Sequence, residues 1–164
     1  MIKKILLAFV VLFIIIQFFR PAKNISGDTT YDISTLYHVP ENVNTLLKRS
    51  CNDCHSNMTQ YPWYAHIQPV GWWLNNHIEE GKRHFNVNTF ASYPAAMQKK
   101  RLEDCMEQLE HDEMPLGSYT LIHTYARLSE ADKQILHEWC SATIDTIKSR
   151  FPPDSLVLKK RNRD

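Results

Sequence analysis

The stretch that most constrains this chain is "SCNDCHSN", at residues 50–57. Cys51 and Cys54 flank two polar residues, and His55 follows at once. Residues three apart share one face of a helical turn, so both sulfurs can reach the same edge of a planar ligand. The imidazole of the next residue is then carried beneath that ligand. This spacing is typical of c-type haem attachment, with two thioether-forming cysteines and a proximal histidine on the iron. We expect one haem c per chain.

Other interpretations of the motif stay open but are weaker. A zinc site needs two further ligands at metal spacing. The remaining cysteines, Cys105 and Cys140, are isolated, and neither a second C-x-x-C nor an H-x-x-x-H occurs. A redox dithiol usually follows a strand and opens a helix, which this sequence does not predict. The motif could also be incidental in a non-haem interaction module.

The first twenty residues differ from the rest. Two lysines precede an apolar run from Ile5 to Phe19, broken only by Gln17. This is the pattern of an export signal, and no small-x-small cleavage site follows, which favours an uncleaved signal anchor. The run would span about 22 Å as a helix, so flanking residues must extend it to cross a membrane. We therefore predict a transmembrane anchor helix over residues 1–20, with the chain after Arg20 outside the cytoplasm.

The remainder predicts an all-α fold. The chain has 164 residues, which suits one domain, and only four glycines. Its net charge of +1 gives no reason to expect nucleic acid as a partner. Helical periodicity predicts four helices, which begin near Pro40, Pro69, Ser92 and Ser129. We expect Gly81 to end the second helix and a capping box of Ser129 with Asp132 to open the fourth.

These patterns divide the chain into four parts. After the anchor, residues 21–39 are polar and turn-rich, and we predict that they form a tether. Residues 40–150 hold the four helices and the motif, and we expect them to form a cytochrome c-like helical domain around a covalently bound haem. We predict that residues 151–164 form a polar tail.

A second axial ligand would complete the iron site. Met114 is the best candidate, because it lies in the loop-like stretch "DEMPLGSY" between two helices, and Pro115 stiffens its approach. His123 and His77 are the alternatives, and an open or water-bound iron is the third. The carbonyl of Pro62 or Pro69 is expected to accept the Nδ1 proton of the proximal histidine.

The sequence resembles the bacterial haem-binding domain family, a C-x-x-C-H family of exported proteins. The likeness lies in "CNDCHSNMTQYPWYAHIQPVGWWLNNHIEEGKRHFN" followed by "EMPLGSYTLIHTYARLS", and it covers residues 40–145 approximately. The resemblance implies c-type haem binding and electron transfer, with the haem on Cys51, Cys54 and His55. Met114 falls on the Glu-Met-Pro-Leu motif of the family, while its role as a ligand is inferred from cytochrome c logic.

The tryptophans that follow the motif gain a role from this resemblance. Trp63, Trp72 and Trp73 are expected to wall the haem and exclude water, although they could equally be core aromatics. For Cys105 and Cys140, two readings are open in an exported protein. They form a disulfide between the last two helices, or they are two small buried apolar side chains.

The function predicted from the sequence is a membrane-tethered electron carrier in the bacterial periplasm, held at the inner membrane by its N-terminus. Such a carrier is not an enzyme, and its partners would be redox proteins of a respiratory chain. The alternative is a haem-based redox enzyme subunit or a gas or redox sensor, in which the distal ligand is labile.

Overall fold

The structure is a computed structural model, which describes residues 1–158. This part of the chain holds seven α-helices and no strand, with one isolated antiparallel bridge between Ile25 and Met58. The prediction of an all-α fold is confirmed. Residues 159–164 of the predicted polar tail lie outside the described residues. The helices are α1 (Ile2–Ile16), α2 (Glu41–Ser50), α3 (Asn52–His55), α4 (Val70–His84), α5 (Ala95–Glu110), α6 (Gly117–Ile122) and α7 (Glu130–Arg150).

The core is built around the packing of α5 against α7. Its cluster of buried residues also takes side chains from α2, and it includes Phe90 of the 3₁₀ turn at Phe90–Ser92, which is fully buried. The capping box predicted at the start of α7 is present, with the Ser129 hydroxyl accepting from the Asp132 N–H and the Asp132 carboxylate accepting from the Ser129 N–H. This cap satisfies two backbone donors that the helix leaves unpaired, and so it fixes where α7 begins.

The first predicted helix is divided in two. Its backbone turns away from helical geometry at Cys51, with φ −122° and ψ −42°, so α2 ends at Ser50 and α3 begins at Asn52. The Cys51 N–H still donates to the Leu47 carbonyl at 2.9 Å, and the Cys51 carbonyl accepts from His55 N–H at 2.9 Å. The motif therefore forms a short helical turn of its own at the end of α2.

Gly81 lies inside α4, and the prediction that it ends this helix is wrong. A Cβ built on Gly81 would lie 2.8 Å from the carbonyl oxygen of Cys54. The glycine therefore serves a close approach of α4 to the motif, which any side chain would prevent. The helix continues to His84 before the backbone becomes extended at Phe85.

At the N-terminus the helix is shorter than the predicted anchor over residues 1–20. It ends at Ile16, and no helix among residues 1–158 is both long and apolar enough to cross a membrane. The chain leaves the helix at Gln17, whose side-chain amide donates to the Gln68 carbonyl at 3.2 Å and accepts from the Gln68 N–H at 2.9 Å. These bonds join the end of α1 to the turn that precedes α4.

Residues 21–39, predicted as a tether, lie against the helical domain. Ile33 and Tyr37 are 2% and 5% exposed and belong to the core cluster. The Tyr37 hydroxyl donates to the buried side chain of Gln98 on α5. This segment is thus part of the folded domain, because its apolar side chains are buried in the core cluster.

Candidate functional site

A cavity of about 590 Å³ opens beside the C-x-x-C-H turn, and we call it the large cavity. Cys51, Cys54 and His55 all line it, and so does Met114 from the far side of the chain. Its volume lies within the range of ordinary cofactor and ligand sites. Most of the remaining lining is apolar and comes from α2, α5, α7 and the loops around them, including Leu47, Leu109, Leu116, Leu128, Leu136 and Trp139.

The backbone that follows α4 orients the imidazole ring of His55. Its Nδ1 lies 2.8 Å from the Phe85 carbonyl oxygen. A carbonyl only accepts, so Nδ1 carries the proton and Nε2 keeps its lone pair for a metal. The His55 carbonyl in turn accepts from the Val87 N–H at 2.9 Å. The prediction that Pro62 or Pro69 supplies the orienting carbonyl is wrong.

Burial favours the neutral forms of the two thiols and the imidazole of the motif. Burial raises the pKa of the Cys51 thiol to about 12 and that of Cys54 to about 11. Burial also lowers the pKa of His55, although the hydrogen bond to Phe85 opposes this. Reactive redox dithiols need a lowered thiol pKa, so these neutral thiols do not favour that interpretation of the motif.

The loop that carries Met114 is shaped by the end of α5. Asp112 adopts a left-handed conformation with φ 57°, which turns the chain sharply after the helix. The Glu113 and Met114 N–H groups then both donate to the Gln108 carbonyl, at 3.0 and 3.3 Å. Met114 thereby comes to line the large cavity.

The two rival histidines are placed differently. His77 on α4 lines the large cavity, and its ring lies 4.4 Å from that of Trp73 in an edge-on arrangement. His123 lines neither this cavity nor the next one described. Both of its ring nitrogens are engaged, Nε2 with the Tyr64 hydroxyl at 2.7 Å and Nδ1 with the Tyr125 hydroxyl at 3.1 Å. His77 is therefore the histidine that remains a rival to Met114.

None of the three tryptophans expected to wall the haem lines the large cavity. Trp63, which is 75% exposed, and Trp73 instead line a second cavity of about 400 Å³, which Cys54 also reaches. Trp72 lines neither, and its indole N–H donates to the Phe19 carbonyl at 2.6 Å. Adjacent residues on a helix point about 100° apart, which agrees with Trp73 and not Trp72 lining the second cavity.

Cys105 and Cys140 lie together in the lining of the large cavity. Both are free thiols in this structure. The neighbouring Cys105 side chain and burial together raise the pKa of the Cys140 thiol. The disulfide and the alternative of two small buried apolar side chains both stay predictions.

Sequence reasoning missed a contact that joins the two sides of the site. The Tyr119 hydroxyl on α6 donates to the Asp53 carboxylate at 2.7 Å, and Asp53 lies within the motif. Burial and this bond raise the pKa of Tyr119, so its hydroxyl stays protonated. No local pattern marks such a contact, whereas an isolated glycine such as Gly81 inside a helical pattern is itself a signal of close packing.

The comparison that decides the family is with protein-family models. The model described as haem-binding domain matches residues 11–142, well over half of the chain. The protein belongs to the haem-binding domain family. No curated protein and no solved structure matches the chain.

The residues around the large cavity of this haem-binding domain fit a haem. The cavity is mainly apolar, as a porphyrin requires, and the C-x-x-C-H turn presents two thiols and an imidazole with a free Nε2 to it. Met114, His77 and His84 supply a thioether and two further imidazoles to the same space. These are the side chains that bind haem iron in proteins.

Proposed function

We propose that this haem-binding domain carries one haem c and transfers electrons. In this proposal Cys51 and Cys54 form the thioethers, His55 is the proximal ligand and Met114 the distal ligand. The supporting observation is that all four side chains line one cavity. When bound, a haem c supplies an iron that takes up and releases one electron.

The protein's own groups would tune this chemistry. Phe85 holds the His55 ring in one tautomer through its carbonyl, which fixes the direction of the free nitrogen. A thioether ligand from Met114 would raise the reduction potential of the iron relative to a second imidazole, and an apolar lining would raise it further. With both His55 and Met114 as ligands, the iron would have no position open to a substrate, which favours a carrier over an enzyme or sensor.

We further propose that the carrier works at the periplasmic face of a bacterial inner membrane, with redox proteins of a respiratory chain as partners. Support comes from α1, a helix of fifteen residues in which none is buried by the rest of the protein. Two lysines precede its apolar run. In this proposal the N-terminal segment directs export and holds the domain at the membrane.

The test is to express the full chain with and without a cytochrome c maturation system. We expect a haem-stained band on a denaturing gel only with the system, and a mass increase of one haem per chain. The product should show a low-spin spectrum with the far-red band of methionine-ligated ferric haem, and its reduced form should bind carbon monoxide poorly.

Three results would redirect the proposal. A chain that stays free of haem, while a control cytochrome matures in the same cells, would refute haem c altogether. Covalent haem that binds carbon monoxide rapidly at neutral pH would instead support the sensor or enzyme with a labile distal ligand. A chain that stays in the soluble cell fraction would refute the membrane location alone.

A further inference from the structure

One cation in the lining of the large cavity lacks a partner. Arg101 lies on α5 and lines the cavity. Its Nε is buried without a hydrogen-bond partner, and Arg101 takes part in no ion pair within residues 1–158. The only other buried side-chain atom left without a partner in this region is Asn52 Oδ1, whose residue does not line the cavity.

The sequence of α5 shows why Arg101 differs from its neighbours. Lys99 pairs with Glu103 at 2.7 Å and Lys100 with Asp104 at 2.5 Å, each one helical turn ahead. The residue one turn ahead of Arg101 is Cys105, an uncharged thiol. Two consecutive cations on this helix thus have a carboxylate at i+4, and the one that faces the cavity does not.

No carboxylate in the lining of the cavity pairs with Arg101. Of those in its lining, Asp53 accepts from Tyr119 and Asp104 is held by Lys100. Glu80 and Glu107 are exposed, and neither pairs with Arg101. An unpaired cation in a mainly apolar cavity is costly, and such groups are normally hydrogen-bonded to an anion. The terminal nitrogens of Arg101 are not among the buried atoms without a partner, so they are the donors that an anion in the cavity can meet.

We propose that Arg101 binds a propionate carboxylate of the haem, an inference that rests on the proposed haem binding. A guanidinium presents a planar fork of N–H donors that matches a carboxylate, whereas porphyrin itself offers no other anion at its edge. The haem therefore completes the one ion pair that α5 leaves open, and Arg101 fixes which way the porphyrin lies in the cavity.

The test compares two probes on full-length apo protein made without a maturation system. Iron protoporphyrin IX has two free propionates, and its dimethyl ester has none. We expect the wild type to bind the free acid about tenfold or more tightly than the ester, the size of one charged hydrogen bond. Arg101→Gln should remove most of this preference, and Arg101→Lys should keep part of it.

Arg83→Gln is the matched control, because Arg83 is exposed on α4 and lines neither described cavity. It should keep the full preference. Thermal unfolding separates binding from structure: Arg101→Gln should leave the melting temperature of the apo protein unchanged or higher and lower that of the haem-loaded protein.

Each remaining outcome overturns a specific statement. A full preference for the free acid in Arg101→Gln, or a large loss of stability in its apo form, overturns the role of Arg101 and leaves haem binding intact. Failure of the wild type to bind either porphyrin overturns haem binding and this inference together.

Discussion

The two sides of the large cavity are held in different ways. On the C-x-x-C-H side, α3 is held by backbone partners, since His55 bonds to Phe85 and Val87, and Gly81 brings α4 within van der Waals reach of Cys54. On the opposite side, Met114 lies in a loop whose Glu113 and Met114 N–H groups both donate to the Gln108 carbonyl, and whose Asp112 side chain accepts from Lys133 at the surface. From these contacts we infer that the first side is rigid before any ligand binds, and that the second can adjust its position.

This difference matches the chemistry that each side would perform. Thioether formation needs two sulfurs and an imidazole in a fixed relation, which a short helical turn packed against a second helix provides. A distal ligand only has to approach one atom, and a loop is sufficient for that. We therefore expect changes on the rigid side to abolish attachment and changes on the loop side to alter the properties of an attached haem.

The largest effect is expected from removing the attachment thiols. In a Cys51→Ala, Cys54→Ala double variant, covalent haem should disappear completely, because no sulfur remains at the C-x-x-C-H turn. Haem staining of a denaturing gel after co-expression with a maturation system measures this. The matched control is Cys105→Ala with Cys140→Ala, the pair that lines the same cavity. Equal staining of the two double variants would disprove the assignment of the thiols.

Met114→Ala should leave the haem attached and change its properties. Loss of the thioether ligand should remove the far-red band, lower the reduction potential and allow carbon monoxide to bind the reduced protein. His77→Ala is the decisive comparison, because His77 lines the same cavity. If the spectrum changes in His77→Ala and not in Met114→Ala, the distal ligand is the histidine. Met58→Ala, at an exposed site, should match the wild type.

Two glycines, one on each side, test the contrast in rigidity directly. A Cβ on Gly81 meets a backbone oxygen at 2.8 Å, whereas one on Gly117 meets nothing within 4 Å. Gly81→Ala should therefore cost about 1–3 kcal/mol of unfolding free energy, as in other overpacked sites. Gly117→Ala should be neutral or stabilise by a few tenths to about 1 kcal/mol, since it opens α6 without a clash. Urea unfolding of the apo proteins gives both values, and equal costs would contradict the tight packing of α4 on the motif.

The sequence predicted best what depends on neighbours along the chain. The C-x-x-C-H spacing, the periodicity of α5 and α7, and the Ser129 cap are local patterns, and the structure has each of them. The sequence predicted poorly those features that depend on contacts between residues distant along the chain. Gly81 looked like a helix end because its partner, the Cys54 carbonyl, is 27 positions away in sequence.

The orienting carbonyl of Phe85 could not be predicted for a related reason. Every residue has a backbone carbonyl, so no side chain marks the one that will meet Nδ1 of His55. The positions of the tryptophans could not be predicted either: Trp63 and Trp73 line the second cavity, Trp63 is the most exposed of the three, and their contact with a haem stays a prediction. Large aromatic residues carry their own hydrogen-bond donor and are tolerated at surfaces, so composition alone does not assign them to a cavity.

The smallest effect is expected from the contact that joins the two sides. Tyr119→Phe removes the hydroxyl that donates to Asp53 and keeps the ring, which stacks on His123 at 4.4 Å. We expect the unfolding free energy to fall by about 1 kcal/mol, because Asp53 loses its hydrogen-bond donor but water can bond to the carboxylate instead.

The same variant should also affect the bound haem. Since α6 follows the Met114 loop, the haem-loaded variant should bind carbon monoxide several-fold faster than the wild type, with its covalent haem intact. Tyr31→Phe serves as the control, because Tyr31 is 53% exposed and lines neither cavity. Identical carbon monoxide kinetics in the two variants would show that the Met114 side holds its position without the Tyr119 contact, and the contrast between a rigid and an adjustable side would then have to be given up.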